Sequence, residues 1–169
     1  ELNPAHVPTL VVVAVKPQSM ASVLPDYAGM AARGTAFLSV AAGISMKAYE
    51  DGLGSSTPIV RCMPNTPAAI GKGMLVYFNN VNVSEALELF VREVLACSGL
   101  VAKIEDESLM DAVTAVSGSG PAYVFHFIEC LTQAGKDAGL PDDVAAMLAM
   151  QTVMGAGALA ADSDDTPGK

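Results

Sequence analysis

Tryptophan is absent from this 169-residue sequence and aromatic residues make up only 5% of it. Any core must therefore close through small and aliphatic side chains, which favours closely packed helices and sheets. Basic residues are scarce as well: nine Lys and Arg stand against eighteen Asp and Glu, for a net charge of −9. A surface of that sign repels phosphate backbones and argues against nucleic-acid binding. No basic run or basic amphipathic helix offers a membrane-surface anchor. Acidity does not restrict a small-molecule substrate, because a local positive patch can sit inside an acidic protein.

Cysteine is sparse and odd in number. Cys62, Cys97 and Cys130 match neither a disulfide framework nor metal-ligand spacing, and the expectation is reduced, buried thiols in a cytoplasmic protein. His6 and His126 have no Cys, Asp or second His at ligand spacing, so no metal site is expected. A G-x-S-x-G element is missing, and no Cys–His pair points to nucleophilic catalysis. The sequence starts at Glu1 without a charged segment and apolar stretch behind it, so no signal peptide is read. The chain is expected to begin inside a longer gene product.

Half of the residues are hydrophobic (51%), enough for the core of one ordinary domain or two small ones. Short β-branched runs at 10–15, 36–40, 58–63, 74–78 and 101–104 read as strands. The run at 10–15 has the continuous apolar character of a strand buried on both faces. Helices are expected over 20–33, broken near Pro25, and from the cap Ser45 to Gly52. The link from 64 to 73 is a loop, so its flanking strands are candidates for antiparallel pairing.

Ser84 opens an amphipathic helix with Leu87, Phe90, Val91, Val94 and Leu95 on one face; Glu85 and Glu88 suit its start and Gly99 its end. Beyond Glu105 the pattern is helical only, with a break at 118–120, a helix from Pro121 to near Gly139, and a last one from 142 to about 162. Strands alternating with helices, then helices alone, imply an α/β sheet domain at 1–105 and a helical domain at 106–169.

Two tempting matches fail on context. Gly155, Gly157 and Ala160 fit the spacing of a dinucleotide-binding fingerprint, yet they lie inside a helical pattern with no strand before them. Those glycines are better read as admitting another helix closely. The stretch 144–161 is long and apolar enough to raise a membrane span. Its Ala and Gly content and acidic flanks instead fit a helix buried in a bundle or subunit interface.

Three turns remain, each following a strand: 14–18, 41–44 and 63–67. In parallel α/β sheets ligands bind beyond the carboxyl ends of strands. Ala41, Ala42 and Gly43 would let a flat group approach the backbone, Lys16 offers a positive charge, and Asn65 and Thr66 offer hydrogen bonds. Each turn alone is also an ordinary connection.

Ala14-Val-Lys-Pro-Gln18, Ser39-Val-Ala-Ala-Gly-Ile44, Arg61-Cys-Met-Pro-Asn-Thr-Pro-Ala68 and Thr114-Ala-Val-Ser-Gly-Ser-Gly-Pro-Ala-Tyr-Val-Phe125 resemble, in order and spacing, the motifs of pyrroline-5-carboxylate reductases. Ala138-Gly-Leu-Pro141, with Gln151, Thr152, Gly155 and Ala156, extends the likeness over nearly the whole chain. The resemblance implies a partial Rossmann-type sheet followed by an all-α domain that forms a homodimer or higher oligomer with another copy. It also implies reduction of the cyclic imine 1-pyrroline-5-carboxylate to proline with NADP or NAD as cofactor. By motif, Ala14, Val15, Lys16, Pro17, Ala41, Ala42 and Gly43 would border the cofactor. Asn65 and Thr66 would lie near the nicotinamide, and Glu107 near the substrate. A solvated Glu at a helix start is the plainer reading of Glu107. No residue presents itself as a general acid.

The family's glycine fingerprint would precede Glu1, and its Ser-Pro-Gly-Gly-Thr-Thr type substrate-binding segment would follow Lys169. On that reading the 169-residue chain alone does not turn over substrate. Two other readings stand beside it: a non-catalytic dimerisation module, and another NADP-linked oxidoreductase of related fold.

Overall fold

A computed structural model describes residues 7–168 of the chain; His6 lies outside them. The β-branched runs become strands because side chains stiff at the first torsion suit a pleated surface. β1 (Leu10–Val13), β2 (Ala36–Ser39), β3 (Ile59–Met63), β4 (Gly73–Asn79) and β5 (Gly99–Lys103) form one sheet, ordered as they occur in the chain. β1, β2 and β3 are parallel, β4 is antiparallel to β3, and β5 is parallel to β4. Helices α1 (Met20–Ala31), α2 (Met46–Leu53) and α3 (Glu85–Ala96) make the three parallel connections. Between β3 and β4 lies only a 3₁₀ turn at Thr66–Ile70, and the pairing is antiparallel, as the helix-free link implied.

Alternation along the central strands divides the core in two. Phe37 and Ile59 pack with Leu24, Met46, Tyr49 and Leu53 on the α1–α2 side. Leu38, Val60 and Cys62 pack with Val91 and Leu95 on the α3 side. This is the sheet with helices on both faces that characterises Rossmann-type domains.

Several local expectations need correction. β1 stops at Val13, short of the expected Val15, and among the described residues Val12 is 52% exposed. α1 runs unbroken through Pro25. That proline is exposed, so water can serve the Ala21 carbonyl that its missing N–H leaves free. Of the three thiols only Cys62 is buried. Gly99 does more than end α3. It has φ of +149°, and a Cβ there would overlap the Gly73 carbonyl of the paired strand; one on Gly73 would meet Ala68 Cβ at 2.7 Å. Two glycines therefore let β4 and β5 start in contact.

After β5, a 3₁₀ turn at Glu107–Leu109 leads into the short α4 (Met110–Val113) and a wide π-type turn at Thr114–Gly118. The expected break at 118–120 is thus a change of helical pitch. α5 (Gly120–Asp137) and α6 (Asp142–Asp162) follow. Packing divides the chain into two compact units, Glu1–Gly120 and Pro121–Lys169. The stretch 107–118 belongs to the first, where Glu107 and Ser117 bond to residues of β3 and the turn after it. The switch to helix-only pattern near 105 comes earlier than this division.

In the second unit α5 buries no residue and α6 only Ala145 and Ala149. Tyr123, Phe125, Phe127, Met147, Met154 and Leu159 are all exposed. Beyond the backbone of α6 itself, no described atom comes within 4 Å of a Cβ built on Gly155 or Gly157, so the helix those glycines were expected to admit is not one of this chain's described helices. By length and composition α6 could cross a membrane.

Gly99→Ala is expected to destabilise the sheet unit by about 3 kcal/mol, since neither strand can retreat without breaking pairing. Urea denaturation at fixed protein concentration checks this. A cost below about 0.5 kcal/mol, the level of an ordinary surface change, would mean the strands do not meet this closely.

Candidate active site

Parallel pairing sets the ends of β1, β2 and β3 side by side: Val13 pairs with Ser39, and Ser39 with Arg61. The turns that follow these strands therefore leave the sheet at one edge. Ala14, Val15, Lys16 and Pro17 follow β1, Ala41, Ala42 and Gly43 follow β2, and Asn65 and Thr66 follow β3. Ala14, Lys16, Gly43 and Thr66 are exposed, while Val15, Pro17, Ala41, Ala42 and Asn65 are half-buried. Gly43 has φ of +74°, and a Cβ placed on it would meet nothing within 4 Å. The middle turn is thus nearly bare backbone facing open space.

Asn65 makes two hydrogen bonds within the protein. Its Oδ1 accepts from Met74 N–H at 2.9 Å, and its Nδ2 donates to Ser117 Oγ at 3.4 Å. The side chain ties the β3–β4 turn to the start of β4 and to the π-type turn. Thr66 opens the 3₁₀ turn with its side chain exposed.

Beneath the middle turn is a polar anchor that apolar patterning does not reveal. Ser39 Oγ and Tyr49 OH share a hydrogen bond at 2.5 Å, with both residues buried. Ser39 Oγ also accepts from Ala41 N–H at 3.2 Å. Burial pushes the Tyr49 hydroxyl above its ordinary range, opposed by the Ser39 hydrogen bond and the Arg61 charge. It stays protonated at neutral pH and can hold Ser39 in place.

Arg61 is the residue that the strand reading missed, although a guanidinium in the run Ile-Val-Arg-Cys-Met is a visible anomaly. It is 7% exposed. Its Nη1 donates to Glu107 Oε1, and the same oxygen accepts from Met46 N–H at 2.6 Å. A buried cation requires such a partner. Glu107 is therefore not a freely solvated residue at a helix start. Gly43, Ser45, Arg61, Glu107, Ser108 and Met110 are among the residues lining a cleft of about 510 Å³. Cys62, on the opposite face, has its thiol pushed up to about 12 by burial, so it supplies no thiolate at neutral pH.

Residues 107–169 match the family model described as pyrroline-5-carboxylate reductase dimerisation. The pyrroline-5-carboxylate reductase of Pseudomonas aeruginosa is 40% identical over 158 residues, covering 94% of this chain and 58% of that protein. The enzyme of the same name from Synechocystis is 40% identical over 163 residues, covering 96% and 60%. Among solved structures, a pyrroline-5-carboxylate reductase from Coxiella burnetii superposes with a TM-score of 0.88 at 32% identity, covering 94% of this chain and 59% of that one. The Plasmodium falciparum pyrroline carboxylate reductase with NADP bound gives 0.86 at 35% identity, covering 93% and 61%. The chain thus spans about three fifths of the relatives it matches.

Tyr49→Phe keeps the ring in the core but deletes the hydroxyl that holds Ser39, and is expected to cost about 1–2 kcal/mol. Chemical denaturation of the variant beside the unsubstituted protein measures it; an unchanged midpoint would show that the Ser39–Tyr49 bond contributes nothing.

Proposed function

We propose that the chain belongs to the pyrroline-5-carboxylate reductase family and forms part of an oxidoreductase that converts 1-pyrroline-5-carboxylate to proline with a nicotinamide dinucleotide. The observation that carries this reading is the common edge of three parallel strands, where the turns 14–17, 41–43 and 65–66 emerge together. Backbone at Ala41, Ala42 and Gly43 that is nearly free of side chains suits the flat face of a nicotinamide. Gly43 has open space where a side chain would stand, so the residues present fit such a group. Ala14, Val15, Lys16 and Pro17 would border the same cofactor from the neighbouring turn, and Asn65 and Thr66 would close the third side. Glu107 borders the cleft in which the imine would lie.

When bound, the reduced nicotinamide supplies the hydride, and the protein's task is orientation. In this reading the residues of the three turns exclude water and fix the two rings relative to each other. The Lys16 ammonium favours the dinucleotide's negative charge. Asn65 acts through the loop it braces rather than through an amide pointed at the ligand, since both ends of that amide are engaged.

Residues 107–169 would join a second copy of the chain through α5 and α6. Support comes from the family model over this segment and from exposed Tyr123, Phe125, Phe127, Met154 and Leu159. A soluble protein rarely leaves that much apolar surface open. The same covering accounts for an apolar α6 without a membrane and agrees with a cytoplasmic enzyme. In this scheme 1–105 form the cofactor half and 106–169 the association half.

A second reading, a module that only associates, draws on those same exposed helices. One assay separates the two. Purified protein from the complete gene is expected to consume NADPH or NADH when 1-pyrroline-5-carboxylate is added and to form an equal amount of proline. A stable dimer that consumes neither cofactor would favour the association module and end the reductase reading.

A further inference from the structure

We infer that Glu107 is a positioning residue, which fixes the turn after β2 through Arg61 and the Met46 N–H, rather than a group that contacts the substrate. The inference rests on the proposed cofactor role of Ala41, Ala42 and Gly43 and assigns how that turn is held. At its near end the turn is anchored where Ala41 N–H donates to Ser39 Oγ at 3.2 Å. At its far end Met46, the first residue of α2, donates its N–H to Glu107 Oε1 at 2.6 Å. Ala42, Gly43, Ile44 and Ser45 span the interval. Between the two anchors Ala41 and Ile44 pack against the core, while Gly43 has a left-handed backbone and an open side, so no side chain holds the middle of the turn.

Glu107 comes from a distant part of the chain, beyond β5, and it accepts from two groups at one oxygen. One is the guanidinium of Arg61, whose side chain is 9% exposed. The other is a helix-terminal N–H that no carbonyl of its own helix can serve. A carboxylate so engaged has its charge spent on a buried cation. Releasing it to bind substrate would strand that cation in the sheet. Because Arg61 pairs directly with Ser39 across β2 and β3, the two anchors are neighbours on one sheet face. The frame is thus two adjacent polar pairs, Tyr49 with Ser39 and Arg61 with Glu107. Loss of the Glu107 anchor would let Gly43 shift relative to the other two turns, weakening the site for the cofactor before the site for the imine.

The test uses protein from the complete gene, with NADPH affinity measured by fluorescence titration and both KM values by steady-state assay. Glu107→Gln keeps the shape but not the charge. It is expected to raise the NADPH Kd and KM about tenfold while the imine KM changes less than about twofold. Glu107→Asp, which keeps the charge on a shorter stem, is expected to fall between the two proteins. Because it is the milder change, it keeps the question answerable if Glu107→Gln fails to fold, as judged by circular dichroism. A raised imine KM with unchanged NADPH Kd would make Glu107 a substrate ligand and overturn the inference. Unchanged values for both would overturn it too. If the unsubstituted protein binds NADPH but does not reduce the imine, the reductase reading falls while the NADPH titrations still decide the role of Glu107. If it binds no dinucleotide, both fall.

Discussion

Parallel pairing of β1, β2 and β3 is the constraint from which the rest of the first unit follows. A parallel neighbour can be reached only by a crossover long enough to travel back along the sheet, and here α1 and α2 provide it. Each crossover must start from a strand's carboxyl end, so the turns collect at one edge whatever their sequences are. The sequence then decides what that edge can do. Proline and lysine stand in the first turn, alanine and glycine in the second, asparagine and threonine in the third. Reversal of direction at β4 has a further effect: it turns the carboxyl ends of β4 and β5 away from that edge.

Polar groups inside this unit serve geometry before chemistry. Ser39 with Tyr49, and Arg61 with Glu107, form two hydrogen-bonded pairs beside the apolar core on the α1–α2 side of the sheet. Apolar packing tolerates small slides of one element over another, whereas a buried guanidinium paired with one carboxylate does not. Such a frame gives a small-residue turn a definite position that alanines and a glycine could not give it. The second unit carries the opposite character, with long helices whose aromatic and methionine side chains are exposed.

Much of this was legible in the residues. Helix and strand types followed from apolar period, and Ser45 and Ser84 cap their helices as read, accepting from Ala48 N–H and Leu87 N–H at 3.3 Å. The antiparallel β3–β4 pair followed from the missing helix between them. What escaped depends on tertiary neighbours. Pro25 signals a break, but an exposed helix face lets water replace the lost bond. Gly99 reads as a helix stop, while its reason for being glycine is the Gly73 backbone beside it. Asn65 reads as a hydrogen-bonding side chain, and its bonds to Met74 N–H and Ser117 Oγ join residues that no local pattern connects. Glu107 was found through family likeness; its partners Arg61 and Met46 lie 46 and 61 positions away, and no local pattern joins residues so far apart. A lone arginine in an apolar strand was the one signal that pointed to a buried pair.

The central claim is that turns separated widely in sequence act as one cofactor-binding rim. Hydrogen–deuterium exchange on protein from the complete gene, with and without NADPH, tests it most directly. The account predicts that amides in 14–16, 41–43 and 65–66 all gain protection in the same titration. Protection confined to a single turn, or falling elsewhere in the sheet unit while these amides exchange unchanged, would contradict it.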